Sequence, residues 1–184
     1  AAIPKGYVRT SSQRLTEVTR VDMKVMEPEQ GIDNFDEMVF GYSRAEAVLE
    51  ADRCHECGIC ISACPAHMSI PDYIRAVREG DYDRGLELLY ETNPFSEVCG
   101  RVCTHNCETA CAAVHEGDPI AIRSLQRHIT DAVPMDRRRE LHRKPDLPES
   151  GQPSAALGSG PGGLRAASDL ARSRHKCVAS DSHP

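Results

Sequence analysis

Tryptophan is absent from this 184-residue sequence, and aromatic residues make up only 4% of it. A chain so poor in large apolar side chains has little material for an ordinary hydrophobic core, so something besides burial is expected to help hold it together. Long apolar runs are missing too: no stretch approaches the roughly 18 residues of a membrane span. An excess of positive charge is also lacking. The formal net charge of −6 argues against a nucleic-acid partner, which favours a basic surface. The one concentrated basic run, Arg137-Arg138-Arg139 followed by His142, Arg143 and Lys144, reads as a solvated linker or helix end. Residues Ala1–Arg20 lack the apolar segment of a signal peptide. The chain is therefore expected in the cytoplasm, where thiols stay reduced and paired disulfides are disfavoured.

What the sequence has instead is nine cysteines, an odd number that points to metal ligation rather than pairing. Cys54, Cys57, Cys60 and Cys64, followed by Pro65, have the C-x2-C-x2-C-x3-C-P spacing of bacterial two-cluster ferredoxins. Three thiolates on a tight loop can each reach one iron of a cubane, while the fourth, carried past the turn, ligates the other cluster. A second group, Cys99, Cys103, Cys107 and Cys111, is spaced at intervals of four. On one unbroken helix these would span about 18 Å, at about 1.5 Å per residue, too far for one cubane. Gly100 and the polar run Thr104-His105-Asn106 also argue against a continuous helix, so this group is expected to divide between two clusters. The competing metal is zinc, but four-cysteine zinc sites typically use two separate CxxC pairs. Cys177 stands apart and reads as a buried thiol in a strand.

The rest of the chain frames these cysteines. Residues 1–42 are polar and weakly periodic and read as an extended arm with at most short helices. Ser43 and Glu46 have the capping-box spacing, opening a helix with Ala45, Val48, Leu49 and Ala51 as its apolar positions. Pro71 fits the first turn of another helix, carrying Tyr73, Ile74 and Val77 and ended by Gly80. Asp81 can cap the next, whose apolar residues are Leu86, Leu88, Leu89 and Tyr90, up to Asn93-Pro94. Gly85 weakens that helix slightly. Asp118-Pro119 is expected to start a further helix bearing Ile120, Ile122, Leu125 and Ile129. Residues 134–153, with four prolines, read as a linker.

Beyond the linker, Gly158, Gly160 and Gly163 form a GxGxxG motif. A short apolar segment, Ala155–Leu157, precedes it, and the helix-compatible stretch Leu164–Arg172 follows. Lys176–Ser180 reads as a second strand, leading into Asp181. This order suits a dinucleotide site: glycines let backbone N–H groups approach a pyrophosphate, and the acid reaches a ribose. The sequence reaches only one βαβ start, whereas enclosing a flavin ring takes several more strands.

The segments from Cys54 to Cys64, Asn93-Pro94-Phe95, Cys99-Gly100-Arg101-Val102-Cys103, Cys107-Glu108, Cys111 and Pro119-Ile120 together resemble the N-terminal iron–sulfur domain of the glutamate synthase small (β) subunit. Dihydropyrimidine dehydrogenase and the large subunit of NADH-dependent ferredoxin:NADP oxidoreductase carry similar domains. The resemblance covers residues 43–133 and, more weakly, 154–184. It implies a mainly α fold: a helical domain binding two [4Fe–4S] clusters at residues 43–133, then the start of a Rossmann-like α/β FAD-binding domain at 154–184. It implies Cys54, Cys57, Cys60 and Cys111 as ligands of one cluster, and Cys64, Cys103, Cys107 and Gln126 as ligands of the other. Cys99 is left without a ligand role, although a count of thiolates alone would make it the eighth ligand. Gly158, Gly160, Gly163 and Asp181 would contact FAD. The function implied is an iron–sulfur electron-transfer segment of an NAD(P)H-dependent flavoprotein oxidoreductase, passing electrons between FAD and a redox partner subunit. A self-contained two-cluster carrier subunit and a zinc-stabilised interaction module are the alternatives.

Overall fold

The computed structural model describes residues 19–142 and 148–181. The arm before residue 19, residues 143–147 of the expected linker and residues 182–184 lie outside the described residues. From residue 19 to 42 the arm is mostly irregular. Val25 and Val39 form a single antiparallel bridge, and helix α1, Pro28–Gly31, is one turn long.

Helix α2, Arg44–Asp52, opens with the expected capping box. The Ser43 N–H donates to Glu46 Oε2 at 2.7 Å, and the Glu46 N–H donates back to Ser43 Oγ at 3.4 Å. Its buried face differs from the expected one. Ala47, Glu50, Ala51 and Asp52 face inward, while Ala45 is exposed and Val48 and Leu49 are only partly covered. The reason is polar. Glu50, fully buried, accepts from the Val21 N–H at 2.8 Å, the Ala121 N–H at 2.8 Å and Arg53 Nη1 at 2.7 Å. One carboxylate thus fastens the arm, α2 and the segment before the last core helix.

Helix α3, Ile59–Ala63, lies inside the cysteine run. Helix α4, Ile70–Glu79, carries Pro71 in its first turn, buries Tyr73, Ile74 and Val77, and ends at Gly80 with φ 76°. A side chain at that φ would be strained. Helix α5, Tyr82–Thr92, is capped by Asp81, whose carboxylate accepts from the Arg84 N–H at 3.1 Å. Gly85 lies inside it against Ile129, whose Cδ1 would sit 3.2 Å from an added Cβ. The helix-weakening glycine therefore allows a close helix contact.

Helix α6, Ser96–Val102, and helix α7, Asn106–Thr109, follow, with a short 3-10 turn at Ala112–His115. Helix α8 spans Ile122–Ala132, starting later than the expected Asp118-Pro119. Pro119 and Ile120 instead lead in as irregular chain, and the buried Ile120, Ile122, Leu125 and Ile129 still point to the core. Helices α2, α4, α5 and α8 pack on one another, and α6 lies along α8.

The chain divides into two units, residues 1–134 and 135–184. In the second, Met135–His142 is helix α9, within the stretch read as a linker. Asp136 lies in its first turn and Arg139 and His142 in its last, matching the helix dipole, and it buries no residue. Strand β1, Pro153–Leu157, helix α10, Pro161–Arg172, and strand β2, Lys176–Ser180, form a βαβ unit. The strands are parallel, with Pro153 opposite Lys176 and Leu157 opposite Ser180. Cys177 lies in β2 as expected but is only partly buried. Among the described residues no helix is long and apolar enough to cross a membrane.

Candidate metal centre

The first cysteine run is folded by its turn chemistry. Cys54 follows α2 directly, and the chain then passes through two left-handed residues, Glu56 at φ 56° and Gly58 at φ 78°. That path aims the Glu56 N–H at Cys54 Sγ, 3.4 Å away. It also starts α3, which carries Cys60 and ends at Cys64. Cys54, Cys57, Cys60 and Cys111 all line one cavity, whose apolar wall includes Pro71, Ile74, Ile120 and Ile122. Cys111 arrives from the far end of the second group, so these four thiols meet only in the folded chain. Cys54 and Cys60 are buried and Cys57 is exposed.

Burial in this cavity favours the neutral thiols over the thiolates. Burial pushes the Cys54 thiol up to about 11, with Cys111 and Cys57 adding to the effect. Burial and then Cys54, Cys111 and Cys57 push Cys60 up to about 12. Thiolates crowded into an apolar hollow need positive charge to exist there, which an iron cluster would supply. The donor set, four thiols around a hollow, fits a [4Fe–4S] cubane.

The second group is not one helix. The chain leaves α6 at Cys103, which is extended at ψ 141°, and turns at His105, left-handed at φ 47°, before α7. Gly100 lies within α6 rather than breaking it. An added Cβ there would come within 3.0 Å of Arg127 Cα and 3.1 Å of Arg127 N, so the glycine lets α6 and α8 approach backbone to backbone. The His105 N–H reaches Cys103 Sγ at 3.4 Å, repeating the geometry of Glu56 and Cys54. In both loops a left-handed residue two positions after a cysteine turns its N–H onto the sulfur.

Cys107 is buried on α7, and α7 packs against α3, whose end is Cys64. Burial, then Glu108, Cys64 and Cys103, push the Cys107 thiol up to about 12. Helix α8 reaches this region through Arg123, whose N–H donates to Glu108 Oε1 at 2.9 Å and whose Nη1 donates to the Cys103 carbonyl at 3.1 Å. Gln126, one turn further along α8, is 6% exposed. Its Nε2 donates to the Ser96 carbonyl at 3.1 Å, which fixes the side-chain amide between α6 and α8. Cys99 is partly buried on α6 and is not part of the wall of the first cavity.

The charged groups beside the cysteines are residues that spacing alone did not single out. Glu56 is held by Arg75 and Arg78, each at 2.6 Å, and its carboxyl lies below the usual range because Arg75 hydrogen-bonds it. Glu108 is paired with Arg20. The available signal was an acid placed next to, or between, the clustered cysteines.

In the βαβ unit, Gly158 is left-handed at φ 93°, and Gly160 caps α10. A Cβ on Gly163 would lie 1.8 Å from the Gly158 carbonyl oxygen, so the third glycine is required for this turn. Asp181 closes over the loop, its Oδ2 accepting from the Ser159 N–H at 2.7 Å. The three glycines and the acid are thus brought together at the N-terminus of α10.

Residues 31–137 match the family described as dihydropyrimidine dehydrogenase domain II, 4Fe-4S cluster. The NADPH glutamate synthase small chain of Escherichia coli is 35% identical over 157 residues, covering 82% of this chain and 32% of that protein. The corresponding small chain of Mycobacterium tuberculosis is 31% identical over 176 residues, covering 95% of this chain and 34% of that one. The NADPH-Fe(3+) oxidoreductase subunit beta of Geobacter sulfurreducens is 34% identical over 132 residues, covering 68% of this chain and 18% of the subunit. The chain thus spans about a third or less of the length of each of these relatives.

Proposed function

The chain belongs to the dihydropyrimidine dehydrogenase domain II 4Fe-4S family, and from that membership we propose that it holds two [4Fe–4S] clusters and relays single electrons within an NAD(P)H-dependent flavoprotein oxidoreductase. Cys54, Cys57, Cys60 and Cys111 hold one cluster; Cys64, Cys103, Cys107 and the Oε1 of Gln126 hold the other. The observation that carries this reading is the meeting of Cys111 with Cys54, Cys57 and Cys60 around one cavity, which leaves Cys64 to the second site.

A [4Fe–4S] cluster held by these residues would supply one-electron transfer. The chain's own residues do the rest. The N–H groups of Glu56 and His105 donate to ligand sulfurs, offsetting the negative charge that thiolates concentrate there. Pro71, Ile74, Ile120 and Ile122 keep water from the inner face of the first cluster. Helix α3 carries Cys60 and ends at Cys64, so one short rigid element links the two clusters. Cys57 and Cys103 are exposed and mark the edges at which a partner subunit exchanges electrons. The loop of Gly158, Gly160 and Gly163, with Asp181, takes the pyrophosphate and ribose of FAD, the entry point for hydride-derived electrons. Two of the relatives named above are NADPH glutamate synthase small chains, which supports an NADPH-linked reading.

The experiment that tests the ligand sets is a pair of variants in anaerobically purified protein. Cys111→Ser removes one EPR signal and Cys107→Ser removes the other. Loss of the same signal in both variants contradicts the assignment.

A further inference from the structure

Glu108 follows a proposed ligand, Cys107, and is 3% exposed. One of its oxygens accepts the Arg123 N–H at 2.9 Å. The other accepts from Arg20 Nη2 at 2.5 Å, with His105 Nε2 at 3.9 Å. Arg20 comes from the arm, before the family match begins at residue 31. It does not reach Glu108 by chance of side-chain length. The Arg20 N–H donates to Asp118 Oδ2 at 3.0 Å, the Val21 N–H donates to buried Glu50, and Tyr42 Oη donates to the Val21 carbonyl at 2.6 Å. Residues 20 and 21 are thus a strap, fastened on both sides, that delivers one guanidinium to one buried acid.

The first site has a comparable acid, Glu56, but its side chain is 29% exposed against 5% for Glu108. Solvent and salt screen an exposed carboxylate far more than a buried one. The charge state beside the second site is therefore governed by its protein partner. We propose that Arg20 is an electrostatic positioning residue for the second cluster: by neutralising Glu108 it sets that cluster's reduction potential. This rests on the reading that Cys64, Cys103, Cys107 and Gln126 hold a [4Fe–4S] cluster.

Reduction adds one electron to the cluster. An unpaired carboxylate one residue from a ligand opposes that electron, and the guanidinium cancels the opposition. A unit charge on the order of 10 Å away, at an effective dielectric of about 20, changes a one-electron equilibrium by roughly tenfold. That is about 59 mV for a one-electron couple.

The test is an anaerobic redox titration of the full chain followed by EPR. Arg20→Gln lowers the second cluster's potential by about that amount, and Glu108→Gln, which keeps an acceptor for the Arg123 N–H, raises it. The double variant returns close to the starting value, and the first cluster does not move. A strap with only a structural role would loosen the cluster without this opposed pair of shifts. Shifts of the same sign, no shift, or a shift confined to the first cluster would overturn the proposal. If Arg20→Gln fails to load its cluster, Arg20→Lys and Glu108→Gln decide: the first must hold the potential and the second must raise it. An unsubstituted chain with only one cluster signal would refute the proposed function itself, and this inference with it.

Discussion

Exchanging Glu50 for alanine removes the carboxylate that joins the arm, α2 and the approach to α8. Glu50 is 0% exposed and Arg53 is 3% exposed, so the change takes from a buried guanidinium the carboxylate 2.7 Å away. The Val21 and Ala121 N–H groups also lose their acceptor. Removing one member of a buried ion pair costs about 3–5 kcal/mol, and stranding the buried Ala121 N–H costs about 1–3 kcal/mol more. The deleted apolar stem contributes less than either. Electrostatics therefore decide the outcome, and Glu50→Ala is expected to lose at least about 3 kcal/mol. Replacing both charges with apolar groups of similar size, Glu50→Leu with Arg53→Met, removes the guanidinium that faced Glu50 and should regain a substantial part of that loss. The Val21 and Ala121 N–H groups stay unpaired in the double variant, so recovery is incomplete. The assay is guanidinium denaturation under anaerobic conditions, with the cluster absorbance and far-UV ellipticity followed together. A double variant no more stable than Glu50→Ala would refute the reasoning, because the cost would then lie outside the ion pair.

Other consequences concern the ligands and the glycine loop. Cys99→Ser should leave iron content and both EPR signals intact, while Gln126→Ala makes one cluster labile and Gln126→Cys keeps it at a shifted potential; the opposite pattern would make Cys99 the eighth ligand. Gly163→Ala forces a methyl group against the Gly158 carbonyl oxygen, 1.8 Å from the ideal Cβ position, so limited proteolysis should cut faster within residues 153–181 while iron content is unchanged. Without metal, the Cys54 thiol lies at about 11 and those of Cys60 and Cys107 at about 12. All three therefore hold protons at neutral pH and must release them to bind iron. Protons compete with iron more strongly as pH falls, so a chelator should strip iron faster at pH 6 than at pH 8; equal rates would contradict protonation of these thiols as the competing step.

The local signals in the sequence carried much of the fold. The Ser43–Glu46 capping box, Pro71 and Gly80 around α4, the Asp81 cap and the Asn93-Pro94 stop all depend on residues within one turn of each other, and all are present. That Cys99–Cys111 is not one helix was also legible: the break falls at Cys103–His105, beside the polar run Thr104-His105-Asn106, and not at Gly100. What failed was long-range. Apolar spacing favoured Val48 and Leu49 as the buried face of α2, but Glu50 turns inward because Val21 and Ala121 supply donors from distant segments. Gly100 and Gly85 read as helix weakeners, whereas their role lies in what packs against them, Arg127 and Ile129. Helix α9 was hidden by its charge, since it buries nothing and shows no apolar period. At the candidate metal centre the spacing singled out the cysteines, four of which line one cavity, while Arg20 and Glu108 meet only in three dimensions.

Two cubanes require about eight irons and about eight acid-labile sulfides per chain. Quantifying iron, sulfide and zinc together in anaerobically purified protein therefore tests the central claim most directly. The account predicts a brown protein with equal iron and sulfide near that number, bleached by dithionite. Stoichiometric zinc with no sulfide would contradict it.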